Sequence, residues 1–325
     1  MMQKIKYNRQ TGMTLVELMI ALLIGLLLSA AIITVYMSNK TTFWETEAAA
    51  SMQDNALFAK RLIGDEIQHA RFSTGVGIGN IIDGGLTLPN GEDCGPAGVT
   101  GLADLPSVYA VAAANAPTCL AGNSVKSGTD VLFIKRVARE APSSVENNKI
   151  YFKPAALDSG QIFLGSLGIS AINDAITGNA DVESGTGSLR EFIYRAYYVA
   201  NVPGRAFPQL RRMSLRGNGG ALEWFVESVA DGIEDIHFQF GIDNSRNGRV
   251  DTYVTAAGVD SDEDWKEVHA VKMFMLTQST RSDMGYTDDK EYTYRDTDGD
   301  GVANSTTVTG PYHRKLHQTT FMIPN

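Results

Sequence analysis

"TGMTLVELMIALLIGLLLSA", residues 11–30, decides how the rest of the chain is read. From Leu18 to Asn39 run 22 residues without a formal charge, enough to cross a bilayer as one helix. Lys4, Lys6 and Arg9 precede the run and no base follows until Lys40, so the positive-inside rule places residues 1–12 in the cytoplasm and carries the remainder across. A secretory signal peptide has the opposite order, with its small residue after the apolar core; here Gly12 comes before it, and the run is too long for a signal core. One acid, Glu17, stands at the head of the run. Thr14 and Glu17 make a Thr-x-x-Glu capping pattern, and a carboxylate in the first turn suits the positive end of a helix dipole. Capping explains the helix start. It leaves unexplained the conjunction of Gly12, a five-residue offset to Glu17 and an uninterrupted apolar helix.

That conjunction resembles the class III signal of type IV pilins and type II secretion pseudopilins. The resemblance implies that a prepilin peptidase cuts between Gly12 and Met13 on the cytoplasmic side and methylates the new amino terminus. Phe is usual at that position, so Met13 is a departure that keeps the apolar character. It also implies a role for Glu17, pairing with the amino terminus of a neighbouring subunit in the fibre. An unpaired carboxylate in hydrocarbon is costly, and a neighbouring ammonium removes that cost only when two helices reach the right stagger.

Beyond the apolar run the helical period continues. Met52, Ala56, Ala59, Ile63, Ile67 and Ala70 step by threes and fours along one face, while Asp54, Lys60, Arg61, Asp65 and Gln68 hold the other. No proline occurs before Pro89. The pattern predicts one helix from about Met13 to about Phe72, roughly 90 Å long, with residues 13–39 in the membrane or fibre core. Gly25 and Gly64 are positions where it could bend. A plain membrane anchor followed by an unrelated domain would need no such amphipathic extension.

Residues 73–128 are rich in Gly, Ala, Asn and Pro and read as a long connecting region. Its two cysteines, Cys94 and Cys119, are expected to form a disulfide if the region lies outside the cytoplasm, with two unrelated thiols as the alternative. After it the sequence turns β-like in "TDVLFIKRV", "KIYFK", "EFIYRAYYVA", "QLRRMSLR", "LEWFVESVA", "IEDIHFQFGI" and "WKEVHAVKMFMLTQST". The expected fold is α+β and pilin-like: a leader at residues 1–12, a helix at 13–72 whose second half packs on an antiparallel sheet, and a β-rich head over 73–325. The run from "EFIYRAYYVA" through "LEWFVESVADGIEDIHFQFGID" to "WKEVHAVKMFMLTQST" is similar to the carboxy-terminal half of PilW-type minor pilins, with an apolar strand entering a "DGIED" turn. The tail "HRKLHQTTFMIPN" is only loosely like that family's last strand.

Formal charge is −9, and because the first twelve residues hold three bases and no acid, the remainder is more acidic still. Such a surface repels phosphate backbones, which argues against nucleic-acid binding by the bulk of the chain. Two acidic loops suit a hard cation such as Ca²⁺. "DTDGDG" sets Asp296, Asp298 and Asp300 at alternating positions, Gly301 sixth, Val302 seventh to offer its carbonyl and Asn304 ninth; Thr307 replaces the usual twelfth-position Glu. "DNSRNGRVD" offers Asp243, Ser245, Asn247 and Asp251, again with no acid at the twelfth position. Two solvated turns are the plain alternative, and no cofactor is required by any other motif. His313 and His317 would lie about 13 Å apart on a strand, too far for a zinc pair. Arg211 and Arg212 read as strand surface, and Trp224 and Trp265 as core. No nucleophile elbow, phosphate loop or dinucleotide-binding glycine pattern occurs.

The expectation is a structural protein, not an enzyme: a minor pilin set in the inner membrane with a periplasmic head, then built into a pilus at the cell surface. The resemblance implies the major pilin, other minor pilins and prepilin peptidase as partners, and a part in starting fibres used in twitching motility, adhesion or DNA uptake. A J-type pseudopilin of type II secretion and a tip adhesin or calcium-dependent binding module are the alternatives.

Overall fold

The computed structural model describes residues 12–70, 81–82, 86–89, 94, 107–155, 159–168, 189–259, 265, 267–294 and 305–324. The chain divides into two units, residues 1–50 and 51–325. The first holds the leading part of α1 (Leu15–Gln68), whose apolar side chains are exposed. Thr34 Oγ1 donates to the Ala30 carbonyl (2.9 Å), Thr41 Oγ1 to Met37 (3.1 Å) and Thr42 Oγ1 to Ser38 (3.1 Å), so hydroxyls along this greasy stretch are satisfied within the helix itself.

The second unit begins within α1. Met52, Ala56, Ala59, Ile63, Ile67 and Ala70, the stripe read from the sequence, are the buried hydrophobic positions here. All of them except Met52 enter one core with Leu132, Ile134, Tyr197, Val199, Phe238 and Val271. Gly64 lies on that contact: a Cβ there would stand 2.4 Å from Cε1 of Phe321. The glycine therefore admits an aromatic ring, and neither Gly25 nor Gly64 interrupts α1. The helix closes at Gln68, where the Ala70 amide reaches the Ile67 carbonyl (3.1 Å) in a tightened last turn. Phe72, the expected end, lies outside the described residues.

The head was expected as one antiparallel sheet; the described strands form two, plus a small hairpin. The first sheet contains β1 (Ile81–Ile82), β2 (Val108–Ala112), β3 (Asp130–Val137), β4 (Ile150–Ala155), β5 (Ser159–Leu164), β6 (Arg190–Ala200), β7 (Gln209–Asn218) and β8 (Ala221–Asp231). Its spine is β6, which pairs with β3, with β4 at Arg190 and Glu191, and with β7 along its second half. All its pairs are antiparallel except β1 with β5. β2 falls inside the stretch read as a loop: "VYAVA" is short, and its neighbours are poor in β-branched residues, so periodicity gave no signal. The second sheet, in the order β10–β9–β11–β14, is antiparallel and joins β9 (Ile233–Ile242), β10 (Thr252–Thr255), β11 (Val268–Gln278) and β14 (Arg314–Met322). β12 (Glu291–Thr293) and β13 (Ser305–Thr307) form the hairpin. Tyr292 and Tyr294 pack with Phe274 and Leu276 of β11 in a second, smaller core, so β11 is buried along its whole length.

The chain passes from the first sheet to the second at Gly232, between β8 and β9. Its φ is +73°, and a Cβ there would stand 2.4 Å from the Gln278 carbonyl oxygen. Its amide donates to the Pro208 carbonyl (2.9 Å) and its carbonyl accepts from the Gln278 amide (2.7 Å). Only glycine meets both demands, which explains the glycine of the "DGIED" turn.

Candidate assembly site

The amino-terminal segment carries the first group of candidate residues. Gly12, Met13 and Thr14 precede the helix and are exposed, and nothing stands within 4 Å of a Cβ built on Gly12. The Glu17 amide donates to Thr14 Oγ1 (3.3 Å), and the Leu18 amide to the Thr14 carbonyl (3.2 Å). This is half of the expected capping box. Among the described residues the Glu17 carboxylate has neither a hydrogen bond nor an ion-pair partner, so the cap does not consume it. Around it Leu15, Val16, Leu18, Met19 and Ile20 are all more than half exposed. The helix is long and apolar enough to cross a membrane. Such a surface needs either lipid or other apolar helices around it.

At the other end of α1 an acid that the sequence reading did not single out fixes the helix on the first sheet. Glu66 is 2% exposed. Its Oε2 accepts from Arg136 Nε (2.5 Å), and its Oε1 accepts from Arg195 and from Tyr197 Oη (3.4 Å). Burial alone would raise the Glu66 pKa; the hydrogen bond from Arg136 and the charges of Arg195 and Arg136 outweigh it and hold the carboxyl below its ordinary value. Asn55 adds a bond from Nδ2 to the Asp231 carbonyl (3.0 Å). The available signal for Glu66 was its place beside Ile67 and three residues after Ile63, on the flank of the buried stripe.

Cys94 and Cys119 are bridged, with Cα atoms 5.9 Å apart. Cys94 is fully buried, and its carbonyl accepts from Tyr109 Oη, which also lies 3.1 Å from Tyr194 Oη. The bridge thus ties part of the connecting region to β2 and β6.

Of the proposed calcium ligands, Asp296, Asp298, Asp300, Val302 and Asn304 lie outside the described residues. In the other loop Asp243 is almost fully buried; its Oδ1 accepts from Ser245 Oγ (3.3 Å) and the Asn247 amide (3.1 Å), and its Oδ2 from the Gly248 amide (2.6 Å). Asp251 Oδ2 accepts from the Ser245 amide (2.8 Å). Burial works to raise the Asp243 carboxyl, and these bonds bring it below its usual range. The carboxylates hold the loop's own amides. His313 faces Asp283 (3.2 Å) and His317 faces Thr277 (3.3 Å), so the two histidines have separate partners. Arg212 pairs with Glu227 (2.7 Å). Trp265 packs edge-on against Phe240 and Tyr109 inside the core, and Trp224 against Tyr194 at its margin.

Residues 196–325, from the middle of β6 to the end of the chain, match the family model of type IV pilus-assembly protein W. Residues 7–33 match the prokaryotic N-terminal methylation motif, which spans Gly12, Met13 and Glu17. A search of curated proteins finds no match. A methylation motif at the head of an exposed apolar helix and an assembly-protein W match running from β6 through the second sheet together support a PilW-type, prepilin-like pilin.

Proposed function

We propose that the chain is a minor pilin that helps start a type IV pilus or its tip complex, and that Glu17 sets the register of its helix against a neighbouring subunit. The observation that carries this reading is the Glu17 carboxylate, without a partner among the described residues, at the head of a helix whose leading apolar side chains are exposed. Prepilin peptidase cuts after Gly12 in this scheme, and Met13 then carries the methylated terminus. Before assembly the helix sits in the inner membrane with the head in the periplasm; afterwards the head stands on the fibre. Its partners are the major pilin and other minor pilins. Because an unpaired carboxylate is costly in hydrocarbon, a neighbour's amino terminus both relieves that cost and fixes the stagger.

Glu17→Ala tests the scheme. Cleavage at Gly12 continues, measured by the mass of the mature chain, while the amount recovered in sheared fibres falls at least severalfold. Unchanged incorporation would overturn the role of Glu17. Deleting the gene in a strain with retraction disabled should reduce the number of surface pili, and a normal number would remove the priming role. The assembly-protein W match favours this reading over a secretion pseudopilin; loss of protein secretion with intact pili would reverse that preference.

A further inference from the structure

Where the two sheets meet, a cleft of about 490 Å³ opens that the assembly scheme does not use. One wall is built of small residues, Ala112 and Ala114 from β2 and the turn after it, with Ala256 and Ala257 facing the same space from the turn that follows β10. Its polar part is Asp130 at the start of β3 together with Asp235 and His237 on one face of β9. The imidazole lies between the carboxylates, Nδ1 3.5 Å from Asp130 Oδ2 and Nε2 3.3 Å from Asp235 Oδ1. Asp130 Oδ2 also accepts from the Phe238 amide (2.9 Å), and Asp235 Oδ2 from Tyr294 Oη (3.0 Å). Burial would lower the His237 pKa, but the flanking carboxylates of Asp130 and Asp235 carry it up to about 10. Two acidic side chains face one imidazole here, and no lysine or arginine lines the cleft among the described residues.

A second observation points to a missing donor. Thr255 lines the cleft, is 3% exposed, and its Oγ1 has no hydrogen-bond partner among the described residues. A buried polar oxygen without a partner costs free energy that a ligand's N–H groups would recover. We propose that this cleft is a binding site for an alkylammonium group, the charge meeting Asp130, Asp235 and Thr255 and the aliphatic stem lying along the alanines. Three N–H donors on a compact cation suit the acceptor oxygens of Asp130, Asp235 and Thr255, and a methylene stem suits the alanine wall. Two sources share this chemistry: a lysine side chain presented by another protein chain, and a free diamine.

The test titrates the full-length protein in detergent micelles with Nα-acetyl-lysine methylamide, with 1,5-diaminopentane, and with the uncharged norleucine analogue as control. Binding is followed by calorimetry and by the His237 imidazole resonances. Saturable binding of an amine that shifts those resonances is expected, with at least tenfold weaker binding of the norleucine analogue. Asp130→Asn should weaken it at least tenfold. Ala257→Leu, at an exposed rim position, should do the same by filling the cleft while the melting temperature stays put. Tighter binding of the lysine derivative identifies a protein side chain as the occupant, and tighter binding of the diamine identifies a free amine. No saturable binding of either amine, equal binding of the norleucine analogue, or binding indifferent to Ala257→Leu would overturn the proposal. None of these readouts depends on fibre assembly, so failure of the minor-pilin reading leaves the test intact.

Discussion

At Glu66 two guanidinium groups and a phenol converge on one buried carboxylate, and the consequence is a response to acid. The folded-state pKa is depressed, so the stabilisation is complete above the unfolded carboxylate value and is lost as pH falls through the folded one. Thermal unfolding of the head followed below about pH 5 should therefore show a steep loss of stability, and Glu66→Gln should flatten that slope. Glu66→Ala should cost about 3 kcal/mol at neutral pH, because Arg136 and Arg195 lose their common partner. A loss below about 0.5 kcal/mol would show that the arginines find other acceptors. Glu66 was only weakly legible in the sequence. Its position on the helix could be read, but its partners are 70 and 129 residues away.

Among the elements, α1 and the β8–β9 corner each depend on a glycine for a different reason. Gly64→Ala gains helix propensity of about 1 kcal/mol, yet its Cβ would meet the Phe321 ring at 2.4 Å. A net destabilisation of about 1–2 kcal/mol is expected, relieved when Phe321→Leu is added. Destabilisation that persists in the double variant would place the strain elsewhere. Gly232→Ala should be worse, by about 3 kcal/mol, since both a left-handed φ and a carbonyl oxygen oppose the methyl group. Denaturant midpoints measure both. The helical stripe and most strands were legible because each is a local pattern: period 3.6 in α1, apolar and β-branched runs in β3, β6, β9 and β11. β2, β5 and β10 were not, each being only four to six residues long, too short for a pattern to stand out.

For the whole molecule, the bridge joins Cys94, ahead of β2, to Cys119, in the turn that follows it. Replacing both cysteines by serine should lower stability by about 3 kcal/mol, read as a drop in unfolding midpoint that reducing agent reproduces in the parent protein. A midpoint insensitive to reductant would mean that the bridge constrains nothing that unfolds with the head. The sequence by itself determined the apolar helix, the methylation-motif match over residues 7–33, the seam that α1 buries, the α+β class and the likeness to the assembly-protein W family. These rest on spacing within a few tens of residues, where chemistry and period are written side by side. Only the tertiary structure decided that the strands divide into two sheets at Gly232, that Phe321 fills the space left by Gly64, that Glu66 meets Arg136 and Arg195, and that Asp130 joins Asp235 and His237 in a cleft. The physical reason is distance along the chain: an ion pair or a close ring contact is chosen by which elements fold against each other, and local patterning does not encode that choice.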